Sequence, residues 1–156
     1  MLLICMIVAM LVAAVILASS ATASPTAFVC SPTLTDGNGP FGRAAPPVRA
    51  KIGTGHVLTG VVVSALDCEP IRGARVQIWQ ANAKGIYTRA TSATVITDRT
   101  GRFRFQGPRP PGYEGRPGHI HLRIVDGDHL PLLTRYEPRS GSARGNLRFV
   151  LEPDAL

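Results

Sequence analysis

The stretch Gly112-Tyr113-Glu114-Gly115-Arg116-Pro117-Gly118-His119-Ile120-His121-Leu122-Arg123-Ile124-Val125 decides how this chain folds. From Ile120 onward, apolar Ile120, Leu122 and Ile124 alternate with His121, Arg123 and Val125, the period-two pattern of a strand with one face in a core. His119 and His121 therefore project from the same face. Two imidazoles two residues apart on a strand can meet one metal ion. Tyr113 stands just upstream, across a turn rich in Gly and Pro.

A phenol beside two histidines narrows the choice of metal. Tyrosinate is a hard anionic donor whose free pKa of about 10 must fall for it to ligate at neutral pH, and a trivalent ion achieves that far better than zinc. Ferric iron is the natural candidate. A second phenol, Tyr87, ends the run Ile78-Trp79-Gln80-Ala81-Asn82-Ala83-Lys84-Gly85-Ile86-Tyr87.

Working outward, the remaining segments read as short strands joined by turns. Val57 to Ser64 is a β-branched run, Ala74 to Gln80 alternates, and Thr94 to Thr97 is another short β-branched piece. Asp98-Arg99-Thr100-Gly101 makes a turn into Arg102-Phe103-Arg104-Phe105, and Leu130 to Tyr136 and Leu147 to Leu151 follow the histidine strand. No segment of adequate length has helical periodicity with caps. Closely spaced short strands predict an all-β, single β-sandwich domain over residues 56–156.

Three blocks then carry a family resemblance: Pro70 through Tyr87; Thr97-Asp98-Arg99-Thr100-Gly101-Arg102-Phe103-Arg104-Phe105; and Arg116-Pro117-Gly118-His119-Ile120-His121. Together, and in this order, they resemble the intradiol ring-cleavage dioxygenases, the catechol and protocatechuate dioxygenases with non-haem Fe(III). The resemblance spans roughly Val57 to Tyr136. It implies a sandwich core related in shape to transthyretin, with Tyr87, Tyr113, His119 and His121 as iron ligands and Arg116 over the substrate ring. It further implies that Tyr113 leaves the metal as a base when a catechol binds, while Tyr87 stays. The substrates it implies are a small aromatic diol and O2, the product a muconate-type dicarboxylic acid. The sequence departs from the family pattern at Thr134-Arg135-Tyr136, where Thr-Gln is common, and in its short segment between Tyr87 and Val95; a shallow, open pocket is expected.

The N-terminal part reads differently. Residues Leu2 to Ala18 are almost wholly apolar and uncharged and are followed by Ala21-Thr22-Ala23, which predicts a signal peptide over residues 1–23 and an exported chain, secreted or in the cell envelope. An uncleaved membrane anchor is the rival reading, because about 17 apolar residues approach the length that spans a bilayer. The formal charge of +7 then belongs to the mature part, which at about 130 residues is long enough for one domain with a core. With Cys5 in the leader, Cys30 and Cys68 form an even pair, and one disulfide between them is the simplest expectation in an oxidising compartment.

Residues 24–55 have Pro and Gly throughout and read as an irregular arm over the domain. Exported members of the family often carry an acidic Gly-Pro-Tyr motif in such an arm; here Asn38-Gly39-Pro40-Phe41 replaces it, which argues against a pocket-lining role. Trp79 is expected as core or pocket wall, Tyr136 as a packing or rim residue, and His56 and His129 as ordinary surface histidines in loops. The basic balance predicts a solvated face that draws anionic aromatics, and no nucleic-acid, phosphate-loop, nucleophile-elbow or dinucleotide motif is present. Two other classes stay open at this point. One is an exported module that binds iron or an aromatic without turnover, and the other is a transthyretin-like structural or interaction domain without metal.

Overall fold

A computed structural model describes residues 28–37, 39–40 and 44–154. The apolar leader, its Ala21-Thr22-Ala23 site and the question of an anchor lie outside the described residues. Among the described residues, seven strands follow in order: β1 His56–Ser64, β2 Arg75–Ala81, β3 Tyr87–Ile96, β4 Arg102–Gly107, β5 Ile120–Asp126, β6 His129–Tyr136 and β7 Arg144–Leu151. They form two sheets, one ordered β4-β1-β7 and the other β3-β2-β5-β6. All pairings are antiparallel except β1 with β7.

The core lies between the sheets. β5 contributes Ile120, Leu122 and Ile124, each fully buried, and β2 contributes Val76 and Ile78. Leu58, Val62, Phe103, Phe105, Phe149 and Leu151 face them from the other sheet, and Phe103 stacks on Phe149 with ring centroids 6.1 Å apart. Alternation leaves odd-numbered β5 residues, His121 and Arg123 among them, on the outer face of the four-stranded sheet. The candidate site is therefore built on the outside of the sandwich.

Several elements differ from the sequence expectation. β3 begins at Tyr87 rather than Thr94, because its first half is an irregular edge held by local hydrogen bonds between Thr88 and Thr91. His56 is the first residue of β1, 1% exposed and stacked 5.6 Å from Tyr136. His129 opens β6 and bonds Asp126 Oδ2 at 2.7 Å and Ser64 Oγ at 3.0 Å. Neither histidine is an ordinary surface residue: each closes one end of the sandwich.

The irregular arm covers sheet edges that would otherwise expose unpaired backbone. Its first part bridges the two sheets, since Thr33 N donates to Val150 O of β7 at 3.0 Å and Asp36 N to Leu133 O of β6 at 2.6 Å. Further on, Arg49 N donates to Thr94 O of β3 and Ile52 N to Gln106 O of β4. Cys30 and Cys68 are joined by a disulfide with Cα atoms 5.6 Å apart, which ties the start of the arm to the loop after β1.

Candidate metal centre

Local backbone chemistry brings the four donor side chains together. His119, immediately before β5, and His121 on it share parity and are 4% and 6% exposed. Tyr87 reaches their face only through an irregularity in the β2–β3 ladder. Trp79 pairs with Ser92 and Ala81 with Tyr87, so β2 advances by two residues while β3 spans five. An odd span on a regular strand would put Tyr87 on the opposite face, and the bulge restores it to the outer one. Asn82 sets up this return, its Oδ1 accepting from Lys84 N at 2.9 Å and Ile86 N at 3.1 Å.

Tyr113 is delivered by a tight turn. Tyr113 N donates to Arg116 O at 3.2 Å and Arg116 N to Tyr113 O at 2.9 Å. The two central residues, Glu114 at φ 51° and Gly115 at φ 74°, both occupy the left-handed region, the signature of a type I′ turn. Such a turn sets its flanking residues side by side, so Tyr113 and Arg116 enter the same cleft. Upstream, Gln80 Nε2 holds the Pro108 carbonyl at 3.2 Å and so anchors the loop that leads to the turn.

The polar ends converge. Tyr87 Oη lies 2.6 Å from Tyr113 Oη and 3.3 Å from His119 Nε2. Tyr113 Oη is 3.4 Å from His119 Nε2, which in turn is 3.1 Å from His121 Nε2. His119 Nδ1 lies 2.8 Å from Pro117 O; a carbonyl can only accept, so Nδ1 carries the proton and Nε2 presents its lone pair to the cluster. Four donor atoms at these spacings fit a shared cation, because two ligands each about 2.1 Å from one ion stand about 3 Å apart. No group of three or more His, Cys, Asp or Glu side chains suited to a metal occurs among the described residues. An ion here must therefore draw on phenols, which favours a hard, highly charged metal.

The cluster floors a cleft of about 680 Å³, whose lining includes Arg116, Arg135 and Glu137. Gly39 and Pro40 of the arm also line it, contrary to the expectation that the arm stays away from the pocket. Hydrogen bonding of Thr35 and Asp36 to Leu133 O brings the arm there; periodicity carries no signal for such a contact. Arg116 is exposed at the rim, and its guanidinium makes no hydrogen bond or ion pair among the described residues.

Comparison with known proteins bears on the family and the fold. A family model described as Dioxygenase matches residues 42–137, more than half of the 156 residues. The chain is 31% identical over 111 residues to the catechol 1,2-dioxygenase of Acinetobacter baylyi, covering 52% of this chain and 35% of that protein. It is 30% identical over 99 residues to the protocatechuate 3,4-dioxygenase beta chain of Burkholderia cepacia, covering 51% and 41%. It thus spans less than half the length of these curated relatives. Among solved structures, the intradiol ring-cleavage dioxygenase of Tetranychus urticae superposes with a TM-score of 0.62 at 27% identity, over 69% of this chain and 65% of that one. The dioxygenase domain of a dioxygenase–carbohydrate-binding fusion from Streptomyces sp. SirexAA-E shares the fold at a TM-score of 0.68 and 24% identity, over 80% and 100%. By its family model, its relatives and its sandwich, this chain belongs to the intradiol ring-cleavage dioxygenases.

Proposed function

We propose that the chain catalyses Fe(III)-dependent intradiol cleavage of a catechol-type aromatic diol by O2, giving a muconate-type dicarboxylic acid. The observation that carries this reading is the convergence of Tyr87 Oη, Tyr113 Oη, His119 Nε2 and His121 Nε2 within 3.4 Å along the chain of contacts on the floor of one open cleft. Bound by these four side chains, a ferric ion supplies Lewis acidity that favours the doubly deprotonated diol and orients it in the cleft.

The rest is the work of the chain itself. Tyr87 belongs to a strand and Tyr113 to a two-residue turn, so Tyr113 is the phenol free to move and the one assigned to accept a diol proton on its Oη. Tyr87 stays in place. The Pro117 carbonyl fixes the His119 tautomer throughout. Arg116, beside Tyr113 at the rim, brings a cation to the face of the ring, where it stabilises negative charge that develops on carbon. The diol plus O2 equals the dicarboxylic acid in atoms and electrons, so no further reductant is needed. The bond broken lies between the two hydroxyl-bearing carbons.

The Cys30–Cys68 bridge supports an oxidising destination for the chain, in keeping with export. The function is tested by supplying the iron-loaded protein with catechol in an oxygen electrode. Uptake of one O2 per muconate-type acid formed is expected; binding of catechol without oxygen uptake would replace the enzyme by a binding module.

A further inference from the structure

Arg135 sits directly opposite His121 in the β5–β6 register. Residues so paired leave the same face of a sheet with Cβ atoms about 5 Å apart, and Arg135 accordingly lines the cleft beside the donor cluster. Its Nε is 3.3 Å from Asp36 Oδ2 and 3.4 Å from Glu137 Oε1. The arginine side chain is 49% exposed, and ion pairs that exposed contribute little to stability. They set two carboxylates, one from each partner, beside its Nε. Asp36 is itself fixed, since its backbone N and Thr35 Oγ1 both donate to Leu133 O, at 2.6 Å and 2.9 Å.

Both carboxylates meet the guanidinium at Nε, and its two terminal nitrogens make no hydrogen bond among the described residues. A planar fork with carboxylates beside its stem and its tips open is suited to bidentate pairing with a further carboxylate. Glu137, the acidic residue that lines the same cleft, is already engaged by the Nε contact. Arg116 lines the same cleft from the Tyr113 turn rather than from β6, so the two arginines approach a ring seated over the cluster from different elements.

We propose that Arg135 is a specificity-determining residue that reads an anionic substituent on the substrate ring, so that the preferred diol carries a carboxylate. This rests on the diol-cleaving reading given above. A seated ring displaces water from the cleft, which strengthens a charge-assisted pair relative to its value in open solvent. Loss of such a hydrogen-bonded charge pair is worth roughly 10- to 100-fold in affinity.

The experiment compares 3,4-dihydroxybenzoate with catechol in the iron-loaded protein and in its Arg135→Gln, Arg135→Lys and Arg123→Gln variants. Arg123 lies on the same sheet face, on β5, but outside the cleft lining, where its Nη1 donates to Gln77 Oε1 at 3.5 Å. The expected result is a ratio of kcat/KM values that favours the carboxylated diol and falls about 10- to 100-fold in Arg135→Gln. The ratio recovers in part in Arg135→Lys and holds in Arg123→Gln. An unchanged ratio in Arg135→Gln, or a wild-type preference for catechol, would overturn the proposal. Calorimetric titration with 3-hydroxybenzoate, which is not a diol, separates the two readings. If neither diol is cleaved, the cleavage assignment fails while a Kd about 10-fold weaker in Arg135→Gln still supports the arginine. Equal Kd values in wild type and variant reject it.

Discussion

Gly85→Ala perturbs the centre without replacing a donor. Gly85 has φ +75°, and a Cβ built on it stands 3.2 Å from Tyr113 Cδ2 and 3.3 Å from its Cβ and Cγ. Left-handed backbone costs an alanine about 1–2 kcal/mol, and the stiffer unfolded chain offsets about 0.4–1 kcal/mol of that. A net loss of about 1 kcal/mol is expected, which lowers Tm by about 3–5 °C in a domain of this size. The contact adds a second effect. The Tyr113 ring must shift by a few tenths of an ångström, moving a hydroxyl that sits 2.6 Å from Tyr87 Oη, so iron affinity should fall about 5-fold for each 1 kcal/mol of misplacement. Gly73→Ala separates the two effects, because Gly73 has φ +81° with nothing within 4 Å of an added Cβ. Differential scanning calorimetry and competitive iron titration of both variants provide the assay. Equal iron affinity in Gly85→Ala and Gly73→Ala would refute the packing of Gly85 on Tyr113, and an unchanged Tm in both would refute the strain.

Four other perturbations have defined outcomes. Tyr113→Phe and His121→Ala should each weaken iron retention by elemental analysis, and full metal content in both would overturn the ligand set. Arg116→Ala should keep its iron and lose turnover; retained kcat would remove Arg116 from the chemistry. Replacing Cys30 and Cys68 together by Ser opens a link with a sequence separation of 38, a loss of about 4 kcal/mol in the chain-entropy model; an unmoved denaturation midpoint would argue against the bridge. The fourth concerns His56, whose pKa is held below its usual value by burial first and by the nearby Arg109 charge. The Ser142 carbonyl opposes this, although neither ring nitrogen makes a hydrogen bond of good geometry. The native ring therefore stays neutral where the unfolded ring takes a proton, so stability falls as pH drops from about 6.5 through the lower folded value. His56→Gln should flatten that part of the stability–pH curve, and an unchanged slope would show that His56 does not contribute.

What the sequence made legible was local. Ile120, Leu122 and Ile124 alternate without interruption and are each fully buried, so β5, its face and the shared parity of His119 and His121 followed from period two alone. β3 shows the limit. Tyr87 to Thr91 holds polar and exposed residues on a bulged edge, and the bulge that turns Tyr87 toward the histidines has no periodic signature. His56 and His129 stand at strand starts beside Gly55 and Asp128, where flanking polarity suggests loops; their burial comes from Tyr136 and from Ser64, residues 80 and 65 positions away. The arm's approach to the cleft likewise depends on the Leu133 carbonyl, far along the chain. A Thr35–Asp36 pair cannot announce that partner by composition.

The most direct test of the ferric centre is the visible spectrum of the iron-loaded protein, with iron quantified, before and after catechol is added under air. Two phenol ligands predict a burgundy tyrosinate-to-iron charge-transfer band at one iron per chain, shifting on catechol addition and decaying as oxygen is consumed. A protein that stays colourless and without iron after ferric or ferrous reconstitution would contradict the assignment of Tyr87, Tyr113, His119 and His121 as its ligands.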